Sequence, residues 1–121
     1  MNCSFNDPGL LDRLEEAEDA ALDTLPFGVI AMAENGTVVS YNAAESRLSG
    51  LTPANVIGRH FFSSVAPCAN NFMVAYRFET EPVLDAVLDY VFTLLMQPTV
   101  IRLRLLKQPH RRRMYLVVER R

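Results

Sequence analysis

The sequence predicts an α+β domain with one five-stranded antiparallel sheet and short helices packed on it. Three observations lead to this prediction. Strand-forming residues flank an Asn-Gly turn in the first third of the chain, three further strand patterns lie near its end, and short helical patterns lie between. The 121 residues, half of them hydrophobic, can bury a core for one domain with at most a short extra arm.

The first 24 residues are expected to form a helical arm outside the sheet, with residues 25–121 as the folded domain. After the loop-forming Pro8-Gly9, the stretch LLDRLEEAEDAALDTL places apolar residues on one helical face and acidic residues on the other. Pro26 ends this pattern because proline removes a backbone donor.

Residues 27–41 are predicted to form a hairpin, since Asn35-Gly36 supplies the positive φ angles that a tight turn demands. Asn42 is a suitable N-cap for the next helix, and Gly50 is a suitable residue to end it. The following Thr-Pro pair opens another short helix by the same logic.

Residues 72–87 are predicted to be mostly helical, with Pro82 interrupting the helix or starting its second half. The final strands are predicted at DYVFTLLM, TVIRLRLLK and MYLVVER. Alternation along the second of these places Arg102 and Arg104 toward solvent and Ile101, Leu103 and Leu105 toward the core.

Charge is distributed unevenly along the chain. Residues 1–45 contain nine acidic residues and a single base, Arg13, whereas eight of the twelve bases lie from Arg102 onward. The acidic arm could therefore lie against the basic C-terminal half, or the two surfaces could be separately solvated. The charge pattern alone leaves both arrangements open.

Several classes of function are disfavoured. Two cysteines and two histidines show no spacing typical of a zinc site, and the glycines form no phosphate-binding loop. A disulfide between Cys3 and Cys68 has little support, and no signal peptide or membrane span is predicted, so we expect a cytoplasmic protein. The run Arg111–Arg113 is expected to be a solvated loop, not a nucleic-acid site.

Tyr41, Glu45 and Ser49 are spaced by four, so a helix would place them on one face. Such a face is either solvated or one wall of a polar site, and the spacing does not decide between the two. Cys68, in the apolar run VAPC, would ordinarily be a small buried residue.

The combination of motifs resembles the photoactive yellow protein family, a light-sensing branch of the PAS domains. The matching stretches are LPFGVI, NG, YNAAE, VIGRHFF, VAPC, MQPT and YLVVERR, and the resemblance extends from about residue 22 to the end. It implies a PAS fold and a 4-hydroxycinnamoyl (p-coumaroyl) chromophore attached to Cys68 as a thioester. Tyr41 and Glu45 would hold its phenolate, with Ser49 bonding Tyr41 from behind.

The resemblance further implies a mechanism. Blue light would drive trans-to-cis isomerisation, Glu45 would supply a proton, and the arm would detach. The positions that match the family's chromophore pocket are Ile30, Leu51, Phe61, Val65, Ala66, Pro67, Phe92 and Met96.

Four features depart from the family pattern. Leu51 stands where an arginine is usual, Ser49 where a threonine is usual, and Leu94 where an aromatic is common; the segment from Phe78 to Met96 is also a few residues short. The hypothesis is therefore a cytoplasmic blue-light photoreceptor, not an enzyme. It would act on a downstream signalling protein as a monomer or weak dimer, without binding nucleic acid or membrane. The alternative is a PAS-type ligand-binding or dimerisation module without this chromophore.

Overall fold

A computed structural model, which describes residues 1–94 and 97–121, contains one five-stranded antiparallel sheet. The strands are β1 (Gly28–Met32), β2 (Val38–Tyr41), β3 (Leu84–Leu94), β4 (Gln97–Lys107) and β5 (Met114–Arg120). Their order is β2-β1-β5-β4-β3, so the first hairpin joins the C-terminal meander through β1 and β5. This confirms the predicted sheet.

Short helices fill the rest of the described chain. They are α1 (Leu10–Glu16), α2 (Asp19–Leu22), α3 (Ala43–Ser49), α4 (Pro53–Val56) and α5 (Ala75–Thr80), together with a π turn (Phe61–Val65) and a 3-10 turn (Pro67–Ala69). Both caps predicted for α3 are confirmed. The Asn42 side chain accepts the N–H of Glu45, and Gly50 ends the helix in the left-handed conformation at φ 78°.

The turn between β1 and β2 is wider than predicted. Gly36 has the expected positive φ of 88°, but Asn35 does not. Instead, the Asn35 side chain accepts the N–H of Thr37, and Ala33 bonds Thr37 across a three-residue loop. A loop of this length needs only one left-handed residue, which glycine provides.

Apolar residues cover both faces of the sheet. One face packs against α4, α5 and the π turn in a cluster that includes Phe61 and Phe78, and the other packs against the arm in a cluster that includes Leu14 and Tyr115. The sheet therefore forms the middle layer, with the helices between β2 and β3 on one side and the arm on the other.

The arm is two helices where one was predicted. The backbone is extended at Ala17 and Glu18, which separate α1 from α2. On one straight helix Leu14 and Leu22 would point about 80° apart, because each residue turns by about 100°. The break allows both side chains to be completely buried against the sheet.

The prediction that Arg104 faces solvent is wrong, because the arm covers that face of the sheet. Only 4% of Arg104 is exposed. Its Nε and Nη2 donate to Asp85 at 2.9 and 3.0 Å, and its Nη1 donates to the carbonyls of Phe5 and Asp7 at 2.9 and 2.7 Å. The guanidinium is thus buried with its charge matched and its donors engaged.

The predicted helix over residues 72–87 is also wrong in extent. Helix α5 ends at Thr80, and Glu81 is already extended because a residue before proline is biased away from helix. β3 then begins at Leu84 and pairs with Lys107, so residues 84–87 belong to the sheet. Pairing along the whole of β4 outweighs the helical pattern there.

The arm does lie against the basic C-terminal half, as one of the two arrangements considered from the sequence. Arg111 donates to Asp12, and Arg113 donates to Asp19 at 3.0 Å. The alternative of two separately solvated surfaces is excluded at these two pairs.

Candidate functional site

Asn42 fixes the start of α3 relative to the sheet and the arm. Its Oδ1 accepts the N–H groups of Glu45 at 3.0 Å and Val29 at 2.9 Å. Its Nδ2 donates to the carbonyls of Leu22 at 2.9 Å and Phe27 at 3.0 Å. The sequence indicated the cap but gave no signal for the other three bonds, which join α3 to the chain leaving the arm.

Tyr41, Glu45 and Ser49 are brought together, but not on one helix face. Glu45 and Ser49 lie on α3, whereas Tyr41 is the last residue of β2. The Tyr41 hydroxyl donates to Ser49 Oγ at 2.8 Å and lies 3.5 Å from Glu45 Oε2. Ser49 Oγ also accepts the N–H of Leu51 at 3.1 Å. The face is not solvated, since Tyr41 is 4% and Glu45 2% exposed.

Burial controls the protonation of this pair. It raises the pKa of the Glu45 carboxyl to about 8, an effect that the hydrogen bond from Tyr41 only partly offsets. Burial, followed by the neighbouring Glu45, also raises the pKa of the Tyr41 hydroxyl. At neutral pH both groups are therefore protonated and can act as hydrogen-bond donors.

One oxygen of Glu45 is left without a partner. Oε1 is buried and makes no hydrogen bond with the residues that the structure describes. A buried polar atom without a partner is unfavourable by about 1–3 kcal/mol. Oε1 itself is packed against Gly28, while the Glu45 side chain contributes to the lining of the adjoining cavity.

Gly28 makes room for this carboxyl, and the sequence analysis did not identify it. A Cβ atom at residue 28 would lie 2.1 Å from Glu45 Oε1. The available signal was a glycine inside the apolar strand pattern LPFGVI, which often marks a close approach. Glycine weakens the interior of a strand, but any larger residue at position 28 would clash with the Glu45 carboxyl.

A cavity of about 530 Å³ adjoins these residues, within the size range of small-molecule sites. Its lining comprises Tyr41, Glu45, Ser49, Gly50, Leu51, Phe61, Val65, Ala66, Pro67, Cys68, Phe92 and Thr93. Two predicted pocket positions are not among them. Ile30 is completely buried in the core, and Met96 lies outside the described residues.

Cys68 lies on the 3-10 turn and is exposed, unlike the buried cysteine that its apolar surroundings would suggest. Cys68 also belongs to the lining of the cavity. The Cys68 carbonyl accepts the Tyr90 hydroxyl at 2.7 Å and the Asn71 side chain at 3.4 Å. Cys3 and Cys68 are both free.

The site combines a thiol, a largely apolar wall and two protonated donors around one cavity. Such a site can attach a small acyl group covalently and hydrogen bond an oxygen of that group. In residues 1–94 and 97–121 no group of three or more metal-ligating side chains is present. Over the same residues, no helix has both the length and the apolar character needed to cross a membrane.

Comparison with known proteins gives consistent matches. The PAS fold family matches residues 18–117. The photoactive yellow protein of Rhodothalassium salexigens is 38% identical over 101 residues, which is 81% of each chain. That of Rhodobacter capsulatus is 32% identical over 113 residues, or 91% of each chain.

Solved structures extend the similarity. The photoactive yellow protein domain of the sensor histidine kinase Ppr from Rhodospirillum centenum matches with a TM-score of 0.82 and 37% identity, covering 90% of this chain and 98% of that one. The PAS domain of an HTR-like protein from Haloarcula marismortui matches with a TM-score of 0.63 at 14% identity, covering 93% and 96%. The second match indicates the fold alone.

Proposed function

Since this chain belongs to the PAS family and, within it, to the photoactive yellow protein family, we propose that it is a blue-light photoreceptor with a p-coumaroyl thioester on Cys68. Family membership makes it a sensor of this class. The chromophore, its attachment and the mechanism are our proposal.

The observation that carries the proposal is a buried, protonated Glu45 beside Tyr41 in the lining of a cavity that Cys68 also lines. The residues present fit the group. A buried phenolate needs hydrogen-bond donors, and Tyr41 and Glu45 can each supply one. Tyr41 would then turn its O–H from Ser49 to the phenolate, and the Ser49 hydroxyl, 2.8 Å away, would donate to the Tyr41 oxygen. Phe61, Phe92 and Pro67 offer apolar surface for a planar ring.

When bound, a p-coumaroyl group supplies absorption of blue light and trans-to-cis isomerisation of its double bond. Cys68 Sγ would hold it, and Leu51, Val65 and Ala66 would border it. Ile30, which is completely buried, would support the pocket from the core and not line it. Met96 keeps its proposed role as a pocket position. Leu51, which is 40% exposed, would leave the ring less shielded than an arginine would.

Glu45 would act as the proton donor of the switch. Losing its proton would leave a carboxylate in a site that is 2% exposed, which is strongly unfavourable unless the surroundings rearrange. Glu45 lies in the first turn of α3, whose cap Asn42 bonds the carbonyls of Leu22 and Phe27. Strain at Glu45 would thus reach the arm, proposed as residues 1–24, through Asn42.

Reconstitution tests the proposal directly. The chain treated with activated p-coumaric acid should turn yellow, bleach reversibly under blue light and gain the mass of one coumaroyl group on Cys68. Cys68→Ser should abolish both the colour and the adduct, whereas Cys3→Ser, a matched change in the arm, should keep them. Colour that survives in Cys68→Ser would refute the thioester.

The alternative is a PAS-type module that binds another ligand in the same cavity. Leu51 at the cavity wall favours it, because the substitution makes the lining more apolar than the family pattern. An adduct of different mass, or a bound small molecule with no adduct, would support this alternative. On either hypothesis we propose a cytoplasmic, non-enzymatic sensor that acts through a partner signalling protein.

A further inference from the structure

The loop between β4 and β5, residues 108–113, contains three consecutive arginines that the arm partly covers. We call it the basic loop. Arg111 donates to Asp12 of α1, and Arg113 donates to Asp19 of α2 at 3.0 Å. Arg112 is exposed and forms no ion pair within residues 1–94 and 97–121. These two long-range ion pairs link the end of the meander to both arm helices.

The contact is wider than two pairs. A cavity of about 280 Å³ between the arm and the basic loop is lined by Glu15, Ala17, Glu18, Asp19, Arg112, Arg113 and Tyr115. Glu15 Oε1 is buried there without a hydrogen-bond partner among the described residues. Carboxylates of both arm helices therefore face the arginines across an incompletely packed interface.

We propose that the basic loop is a docking site for an acidic peptide segment of a partner protein, and that the arm blocks this site in the dark. The arm is itself an acidic peptide segment bound to the loop within the same chain. Its departure would free the guanidiniums of Arg111 and Arg113 beside Arg112. The light gating rests on the proposed function, since it requires the arm to detach, but the docking site does not.

The surroundings of the loop favour a peptide over a nucleic acid. Arg111 and Arg113 already bind carboxylates, for which the planar guanidinium is well suited. A second cavity beside the loop, which the three arginines, Lys107 and His110 also line, contains the carboxylates of Glu34, Glu79 and Glu81. A long polyanion that followed the loop would meet these carboxylates, whereas a short acidic segment in the arm's place would not.

The side-chain exposures indicate that the contact can be released without unfolding the sheet. Asp12 and Asp19 are 65% and 57% exposed, and Arg111 and Arg113 are 31% and 26% exposed. Ion pairs at such sites are weak individually. A partner that offers several carboxylates could therefore compete once the arm loosens.

The test uses the full chain carrying its chromophore and a fluorescein-labelled octaglutamate peptide at low ionic strength, with binding followed by anisotropy. Blue light should lower the Kd about threefold to tenfold. Asp12→Asn/Asp19→Asn should bind at the tighter level already in the dark. Arg111→Gln/Arg113→Gln should lose the gain in light, whereas Arg59→Gln, which removes an exposed arginine elsewhere, should keep it.

The outcomes separate this inference from the photoreceptor proposal. An unchanged dark Kd in Asp12→Asn/Asp19→Asn, or a full gain in Arg111→Gln/Arg113→Gln, would overturn the docking site. A gain in the aspartate variant but none in light would retain the site and refute the arm release of the proposed function. Equal binding of a single-stranded DNA oligonucleotide of the same charge would overturn the assignment to an acidic peptide.

Discussion

Gly28 on β1 and Glu45 on α3 are packed against each other. Because Gly28 has no side chain, the Glu45 carboxyl fits against the strand. Burial raises the pKa of this carboxyl to about 8, so the group is neutral at physiological pH and no charge is buried. Its Oε1 occupies the space where any other residue at position 28 would place its Cβ. The position of the proposed proton donor therefore depends on a residue that carries no chemistry of its own.

Gly28→Ala should displace the Glu45 carboxyl, because the new Cβ would lie 2.1 Å from Oε1. Overpacking of this kind lowers the free energy of unfolding by about 1–3 kcal/mol. Urea unfolding measures it, and Gly9→Ala is the control, since its Cβ would lie at an ordinary 3.5 Å from Asp7. The loss should shrink when Glu45 is also replaced by alanine, and equal losses in both backgrounds would contradict the Gly28–Glu45 contact.

Two kinds of contact attach the arm to the sheet: hydrogen bonds from Arg104 and apolar packing of the arm leucines. Arg104 reaches through the covered face of β4 to two arm carbonyls, and Asp85 on β3 holds its remaining nitrogens. Leu10, Leu14 and Leu22 supply the apolar contact. This combination can bind an arm firmly while allowing it to open as a unit.

Arg104→Met should loosen the arm without unfolding the sheet. It leaves the carbonyls of Phe5 and Asp7 without their charged donor, a loss of about 1–3 kcal/mol. Hydrogen exchange of the α1 amides should then accelerate about tenfold to a hundredfold, while that of the β1 and β5 amides should change little.

Asp85→Asn serves as the control for this prediction, because Asp85 is 52% exposed and water can replace it. It should accelerate exchange in α1 far less than Arg104→Met does. Equal acceleration in the two variants would show that the ion pair, and not the bonds to the arm carbonyls, holds the arm.

The sequence predicted where helices and strands lie better than it predicted which of their faces are buried. Asn35-Gly36 located the hairpin and Asn42 located α3, because turns and caps are local chemistry. Alternation in β4 correctly separated two faces, but it could not show that the arm covers one of them, so Arg104 was assigned to solvent. Contacts between distant segments leave no periodic signal in either partner.

The site itself divides in the same way. Helical spacing accounts for Glu45 and Ser49, whereas Tyr41 reaches them from the end of β2. The spacing left open whether this group of side chains was buried. The resemblance supplied the cavity residues, most of which the structure places around one space, with Ile30 in the core instead. The sequence analysis missed Gly28 because the need for a glycine there follows from the position of the Glu45 carboxyl, which only the structure gives.

In the whole molecule, a single sheet separates the cavity from the arm and also couples them. The cavity lies on the face packed with α4 and the π turn, and the arm covers the other face. Asn42 connects the two sides through its four hydrogen bonds. A charge that appears at Glu45 can therefore affect the stability of the entire fold.

The pH dependence of unfolding tests this coupling in the chain without chromophore. Folding raises the pKa of Glu45 from its ordinary 4.5 to about 8, so between these values the folded state holds a proton that the unfolded state lacks. The stabilisation is complete below about pH 4.5 and is lost as the pH rises through about 8. Relative to Glu45→Gln, the free energy of unfolding should fall by on the order of 4 kcal/mol across that window.

Chemical denaturation of the unsubstituted chain and of Glu45→Gln, at intervals between pH 5 and pH 9, measures the difference in their free energies of unfolding. Glu79→Gln, which removes an exposed carboxyl from α5, should follow the unsubstituted chain at every pH. If Glu45→Gln also runs parallel to the unsubstituted chain, then Glu45 ionises without penalty in the folded state. The domain could not then be switched by loss of its proton, because no free energy would be available to release the arm.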